Sequence, residues 1–293
     1  IMRRKITARV AIVVFWISAM LCLARYETFP ELFTHSLRGY RGILDETVLM
    51  QETWSRIVVG GIPAGYSHTN MSVDDEGPQQ NIEIHNRTHI KAALLGQPVG
   101  MHANTTLLLD PDYNLLNFES AVSAQGISIR ASGTRVEDRQ YDITTHIGSV
   151  PATQRIEIPK DVILYSPVSA LALRRLRPGR ELTIKTLDPL SMTTARVRVK
   201  AIRRETLDMP DGPKEATLLS SNYHGMQLQS WVDKHGTLLR QETPLGWIIE
   251  SCPPEIALDA VTGDHAPPDL LLTQGAASGL MQLLLGGAQG VNP

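Results

Sequence analysis

The sequence predicts a mainly β protein: one large curved antiparallel sheet, a meander or half-barrel, with a few short helices and an N-terminal transmembrane helix ahead of it. Three observations carry this. From Trp54 onward, long runs such as NIEIHNRTHIKAALLG and YNLLNFESAVSA repeat with a period of two. Each run is bounded by Gly, Pro, Asp or Asn. Connections this short join antiparallel neighbours, because a parallel pair needs a crossover of roughly a dozen residues. Ahead of the runs, MRRKITAR at residues 2–9 holds four positive charges and no negative one, followed by VAIVVFWISAMLCLA with a single serine.

Taken in order, residues 1–28 read as a basic flank and an uncleaved signal anchor, with the membrane helix over residues 10–24. The positive flank keeps the amino end inside and exports the rest. Residues 29–53 read as a juxtamembrane helical segment, from Leu32, Phe33, Leu37, Tyr40, Ile43, Leu44 and Val48 at near-helical spacing. A first antiparallel β lobe follows over 54–158, opening on a hairpin that turns at Gly60-Gly61. A second β lobe spans 159–262. It includes a short helix from about Pro167 to Leu176, with a serine cap and proline at its first position, and a turn of helix near Pro253–Ala260. Residues 263–293 are a segment of small and apolar residues, uncharged after Asp269. The stretch 270–290 within it is expected to lie on a membrane or pack on a partner.

Charge bounds the partners. A net charge of −2 and a pI near 6.5 give no overall attraction to nucleic acid. Between Val150 and Glu205, however, twelve Lys or Arg stand against five Asp or Glu. Arg174, Arg175, Arg177 and Arg180 form the densest part, either a solvated basic face or a contact for anionic lipid or an acidic partner. Two cysteines, Cys22 and Cys252, make no disulfide framework. His85 and His89 have the spacing of a helical zinc site, but on a strand they stand about 13 Å apart, too far for one metal. The remaining histidines read as solvated. No phosphate loop, dinucleotide fingerprint, nucleophile elbow or zinc-hydrolase motif is present, so no cofactor, metal or catalytic residue is expected.

In QSWVDKHGTLLRQETPLGW, residues 229–247, Asp233 to Gly236 signal a tight turn between short apolar runs. Trp231, Asp233, Gly236, Pro244, Gly246 and Trp247 are therefore expected to be architectural. Together with TWSRIVVGGIPAGY, LRPGRELTIKTLDPLSM and PPEIALDA, this stretch resembles the β-rich region that precedes the catalytic domain in bacterial exported transglutaminase-like proteins. The resemblance spans roughly residues 50–262 and implies a non-catalytic module beside an enzyme. Together with the N-terminal anchor, this leads to the expectation of a single-pass protein of the bacterial inner membrane with its bulk in the periplasm, working as an accessory or scaffolding subunit with protein partners in a membrane complex. A regulatory partner of a separate transglutaminase-like enzyme is one alternative. A fainter similarity to periplasmic half-barrel carriers suggests another, a module that binds a lipid or other apolar ligand.

Overall fold

The computed structural model describes residues 35–36, 51–74, 80–94, 96–164, 176–188, 193–223, 226–244, 246–263 and 265–269. The chain divides into two compact units, residues 1–36 and 37–293. The described part of the first is a short strand, β1 (His35–Ser36). In the second, eight strands follow one another: β2 (Gln51–Val59), β3 (Ile62–Asp74), β4 (Asn81–Leu94), β5 (Gln97–Leu109), β6 (Leu115–Ala124), β7 (Ile127–Arg135), β8 (Gln140–Ile147) and β9 (Val150–Glu157). Then come β10 (Val162–Leu164), β11 (Glu181–Asp188), β12 (Thr193–Leu207), β13 (Lys214–Tyr223), β14 (Met226–Val232), β15 (Leu238–Glu242), β16 (Trp247–Ser251) and the helix α1 (Pro254–Thr262).

The mainly β expectation holds, as one curved sheet. Within the second unit the order is β11-β12-β13-β14-β15-β16-β2-β3-β4-β5-β6-β7-β8-β9, with β10 parallel to β11. Two meanders are therefore joined where β16 pairs with β2, from Trp247 opposite Val59 to Ser251 opposite Ser55. The two expected lobes are continuous through the β16–β2 pairing, not across the 158/159 boundary, where β9 and β11 stand at opposite ends of the strand order, and strands from both sides share one core. Met71, Ile84, Leu107, Phe118 and Ile143 of the first meander lie in the same cluster as Leu182, Val199, Leu219 and Val232 of the second. Strands far apart in the sheet order meet there, so the sheet bends round and this face is the concave one. Register shifts at Ile57/Val58, Leu108/Leu109 and Ala201/Arg203 supply local twist and bend.

The core cluster is filled. Leu107, Leu109, Ala131, Ile143 and Ala201 are 0% exposed, so no void large enough for water reaches them. A second cluster, around Ile57, Val59, Ile90, Met101 and Trp247, lies farther along the same face. On the outer face, Met209, Ala216, Leu218, Trp231 and Leu239 form a third.

The 229–247 stretch turns twice, after Asp233 and after Thr243. Asp233 Oδ1 accepts from the backbone N–H of His235 and of Thr237, each at 2.8 Å, and Gly236 turns with φ +87. Trp231 is 7% exposed and Trp247 1%. Thr243 closes the next turn through backbone bonds with Gly246 and Trp247, with Gly246 at φ +74 and Pro244 exposed.

Two local expectations change. His35–Ser36 is a strand, and β2 begins at Gln51 rather than Trp54, both inside the segment read as helical. Gln51 and Thr53 pair with Met71 and Thr69, so cross-strand pairing extends the strand three residues ahead of Trp54. The terminal helix is longer than the single turn expected, spanning nine residues with Ala257, Ala260 and Val261 buried. Most of the expected 167–176 helix, the signal anchor, most of the juxtamembrane segment and residues 270–293 lie outside the described residues. Among the described residues no helix is long and apolar enough to cross a membrane.

Candidate functional site

Between the two apolar clusters the concave face changes character. Two adjacent cross-strand rows, Thr53–Thr69–Asn86–Thr105–Ser120 and Ser55–Ser67–Thr88–Ala103, carry hydroxyls and one amide across β2 to β6. Alternation places them inward because Met71, Ile84 and Leu107, on the same face of the same strands, are core. Asn86 Nδ2 donates to Ser67 Oγ at 3.0 Å and to Thr69 Oγ1 at 2.9 Å. Thr88 Oγ1 donates to Ser67 Oγ at 3.1 Å, and the hydroxyls of Thr105 and Ser120 pair at 3.0 Å. Thr69 and Ser120 are buried, while Thr53, Ser55, Ser67, Asn86, Thr88 and Thr105 are half-buried. Thr88 Oγ1 also lies 3.4 Å from Asn86 Oδ1, so Thr88 can instead donate to Asn86 while Ser67 donates to Thr88. The belt is thus a half-buried row of polar groups bonded to one another.

The outer face of the same strands carries rings. The Trp54 and His68 rings stack at 4.1 Å, Tyr66 meets His89 at 6.0 Å, and His89 meets His102 at 4.2 Å. Glu52 Oε1 accepts from Trp54 Nε1 at 3.0 Å and faces His68 Nε2 at 2.9 Å, which holds its carboxyl below the ordinary value. His68 is half-buried rather than solvated as expected, and His89 is half-buried too, because the sheet register packs them into this row. The His89–His102 contact follows from a turn visible in the sequence: residues equidistant from Leu95-Gly96 face each other, His89 against His102 among them.

Burial, then the charges of His102 and Lys91, pushes His89 below its ordinary 6.5. The folded chain therefore holds this proton less well than the unfolded one, so the contribution is complete above 6.5 and is lost as pH falls from there through the lowered value. The melting temperature should decline between pH 7 and pH 5, and His89→Gln should flatten that decline; an unchanged slope in the variant would assign it to other groups.

One constellation has the look of acid–imidazole–hydroxyl chemistry. Glu83 Oε1 lies 2.9 Å from His85 Nε2, and Thr106 Oγ1 lies 3.0 Å from His85 Nδ1. Such a triad needs free donors aimed at a developing oxyanion. The backbone around Thr106 is committed to ladders with β4 and β6. Cys252 is buried, and its thiol is pushed up by burial against the opposing pull of Arg56, the reverse of an activated nucleophile.

The basic cluster is only partly in view. Arg177 and Arg180 are exposed in the turn that enters β11, where Arg180 N donates to Arg177 O at 2.9 Å. Arg174 and Arg175 lie outside the described residues. Farther along the outer face, Glu250 is 5% exposed and is bridged by Arg56 at 2.6 Å and Arg240 at 3.6 Å, and Trp231 Nε1 donates to Glu205 at 2.6 Å. These contacts fasten the seam and the hairpin.

No protein-family model matches the chain, and no curated protein matches it in sequence. Two solved structures are similar in fold. One, from Brucella abortus, is a β-barrel-like protein of the domain of unknown function DUF1849; the match has 7% identity and a TM-score of 0.46, over 70% of this chain and 95% of that one. The other, a DUF1089 family protein from Pseudomonas aeruginosa, matches with 13% identity and a TM-score of 0.34, over 61% of this chain and 89% of that one.

Proposed function

We propose that the chain is a non-catalytic accessory subunit of a membrane-associated complex, held by its N-terminal apolar segment with the sheet on the periplasmic side, and that it grips an extended segment of a partner protein in the concave belt. The observation that carries this reading is the belt itself. Half-buried hydroxyls and an amide, already ordered by one another, offer donors and acceptors at the strand spacing that a peptide backbone can meet. The partner is read as protein because the apolar clusters on either side are filled by the chain's own side chains, which weighs against the alternative of an apolar-ligand carrier. A transglutaminase-like enzyme is one candidate source of the segment.

Photo-crosslinking in native membranes tests this. A photoreactive residue at Ala103 or Ser55 is expected to attach covalently to one protein, identified by mass spectrometry, and Asn86→Ala with Ser67→Ala to abolish the adduct while leaving the melting temperature within a few degrees. Adducts to lipid alone would favour the carrier reading. Adducts unaffected by the double variant would remove the belt from the argument.

A further inference from the structure

The two ends of the first meander differ in chemistry. Turns of a meander alternate between its ends, so the β2–β3, β4–β5, β6–β7 and β8–β9 turns share one rim. The segments that make this rim, residues 57–66, 92–101, 121–129 and 146–153, contain no Asp, Glu, Lys or Arg. Thr243 to Trp247 adds a further uncharged turn at the same rim, tied to it by Gly60 N donating to Gly246 O at 3.4 Å. Asp269, which accepts from Gly96 N at 3.1 Å, brings a carboxylate to the β4–β5 turn of this rim. The described turns of the opposite rim are charged: Asp110 and Asp112 in the β5–β6 connection, and Arg135, Glu137, Asp138 and Arg139 in the β7–β8 connection.

This rim also presents large apolar side chains where tight turns ordinarily carry polar ones. Ile127 is 65% exposed, Ile147 65%, Val150 68% and Ile62 40%. Ile147 and Val150 are cross-strand partners, and Ile129 pairs with Ile147. Gly148 N donates to Ser128 O at 3.0 Å, which ties the two hairpin tips together. Ile127, Ile147 and Val150 thus stand on one fixed platform formed by neighbouring tips.

We propose that this rim is a bilayer-docking surface, which seats Ile127, Ile147 and Val150 among the headgroups and upper acyl chains of a zwitterionic membrane. The platform formed by the β6–β7 and β8–β9 tips carries no charge, which matches a lipid surface without net charge and needs no anionic lipid. Insertion is shallow, because the turn backbones at Gly126 and Gly148 must keep polar partners that the hydrocarbon interior does not offer. The basic Arg177 and Arg180 enter β11 at its end away from the β11–β12 turn and take no part. The proposal relies on the membrane-held reading only for proximity, and is independent of the belt.

The test uses the full chain reconstituted in phosphatidylcholine vesicles, with Cys22→Ser and Cys252→Ala removing the native thiols. An environment-sensitive fluorophore is placed singly through Ile127→Cys, Ile147→Cys, Val150→Cys, Asp138→Cys on the opposite rim, and Ser18→Cys in the N-terminal segment. Lipid-borne nitroxide is expected to quench the three rim labels several-fold more than the Asp138 label, with no change on adding about 0.5 M NaCl, a concentration that screens surface charge. The double variant Ile147→Asp, Val150→Asp should strip quenching from the Ile127→Cys label while the melting temperature holds. Rim labels that behave like the Asp138 label overturn the proposal. If the Ser18 label is quenched in that case, the membrane-held reading survives alone; if it is not, both fall. Rim quenching without Ser18 quenching leaves the rim standing by itself. Rim labels shielded only in native membranes, and not in the vesicles, would mean a protein partner and would likewise overturn it.

Discussion

Trp247→Ala should destabilise the protein by about 3–5 kcal/mol, the usual cost of truncating a buried tryptophan. Trp247 is 1% exposed and packs with Ile57, Val59, Ile90 and Met101, so the cavity would open inside the cluster that backs the joint between the meanders. Trp247→Phe should cost far less. The indole N–H is buried without a partner among the described residues, so phenylalanine removes a group that makes no bond and keeps most of the apolar contact. Thermal or denaturant unfolding of the two variants checks this. Equal losses would mean that the indole N–H has a partner, such as an ordered water, whose removal matters as much as the packing.

Gly65→Ala should lower the melting temperature by roughly 6–12 °C, corresponding to about 3 kcal/mol in a unit of this size. The reason is backbone proximity rather than chain freedom. A Cβ at Gly65 would sit 2.0 Å from the carbonyl oxygen of His89 and 2.8 Å from the Cα of Ile90. Neither can rotate away, so β3 and β4 must part beside the Gly65–Ile90 register position. By contrast, Gly61→Ala would meet no atom within 4 Å, and its cost arises only from its φ of +84. A calorimetric comparison in which Gly61→Ala proved the more damaging would show that the sheet relaxes around residue 65.

The strands were legible because alternation and turn chemistry agree along the chain. NIEIHNRTHIKAAL reads as a strand from Ile82, Ile84, Ile90 and Ala92, and the 229–247 hairpin from Asp233 and Gly236, whose positive φ and side-chain bonds are local properties. The concave belt was less legible. Ser67 and Thr69 alternate visibly, but alternation alone does not say that Asn86, a residue typical of turns, faces the same way as Met71. That follows only once register joins them. The ring row was missed because each histidine was weighed by its neighbours in sequence, whereas His89 and His102 meet across a hairpin.

The joint between β16 and β2 also governs the order in which the molecule can be assembled. Every other neighbour pair along the path from β2 to β9, and from β11 to β16, is consecutive in sequence, so hairpins form while the chain is being made. Val59 and Trp247 are separated by 188 positions, 247 minus 59. A nascent chain must therefore carry β2 as an open edge until its last strand has emerged. That contact raises the contact order and slows the final step. Prior zipping of the hairpins shortens the effective loop that remains to be closed. During this interval the exposed edge is free to pair with another unfinished copy, and the yield of folded protein should fall as the rate of synthesis rises.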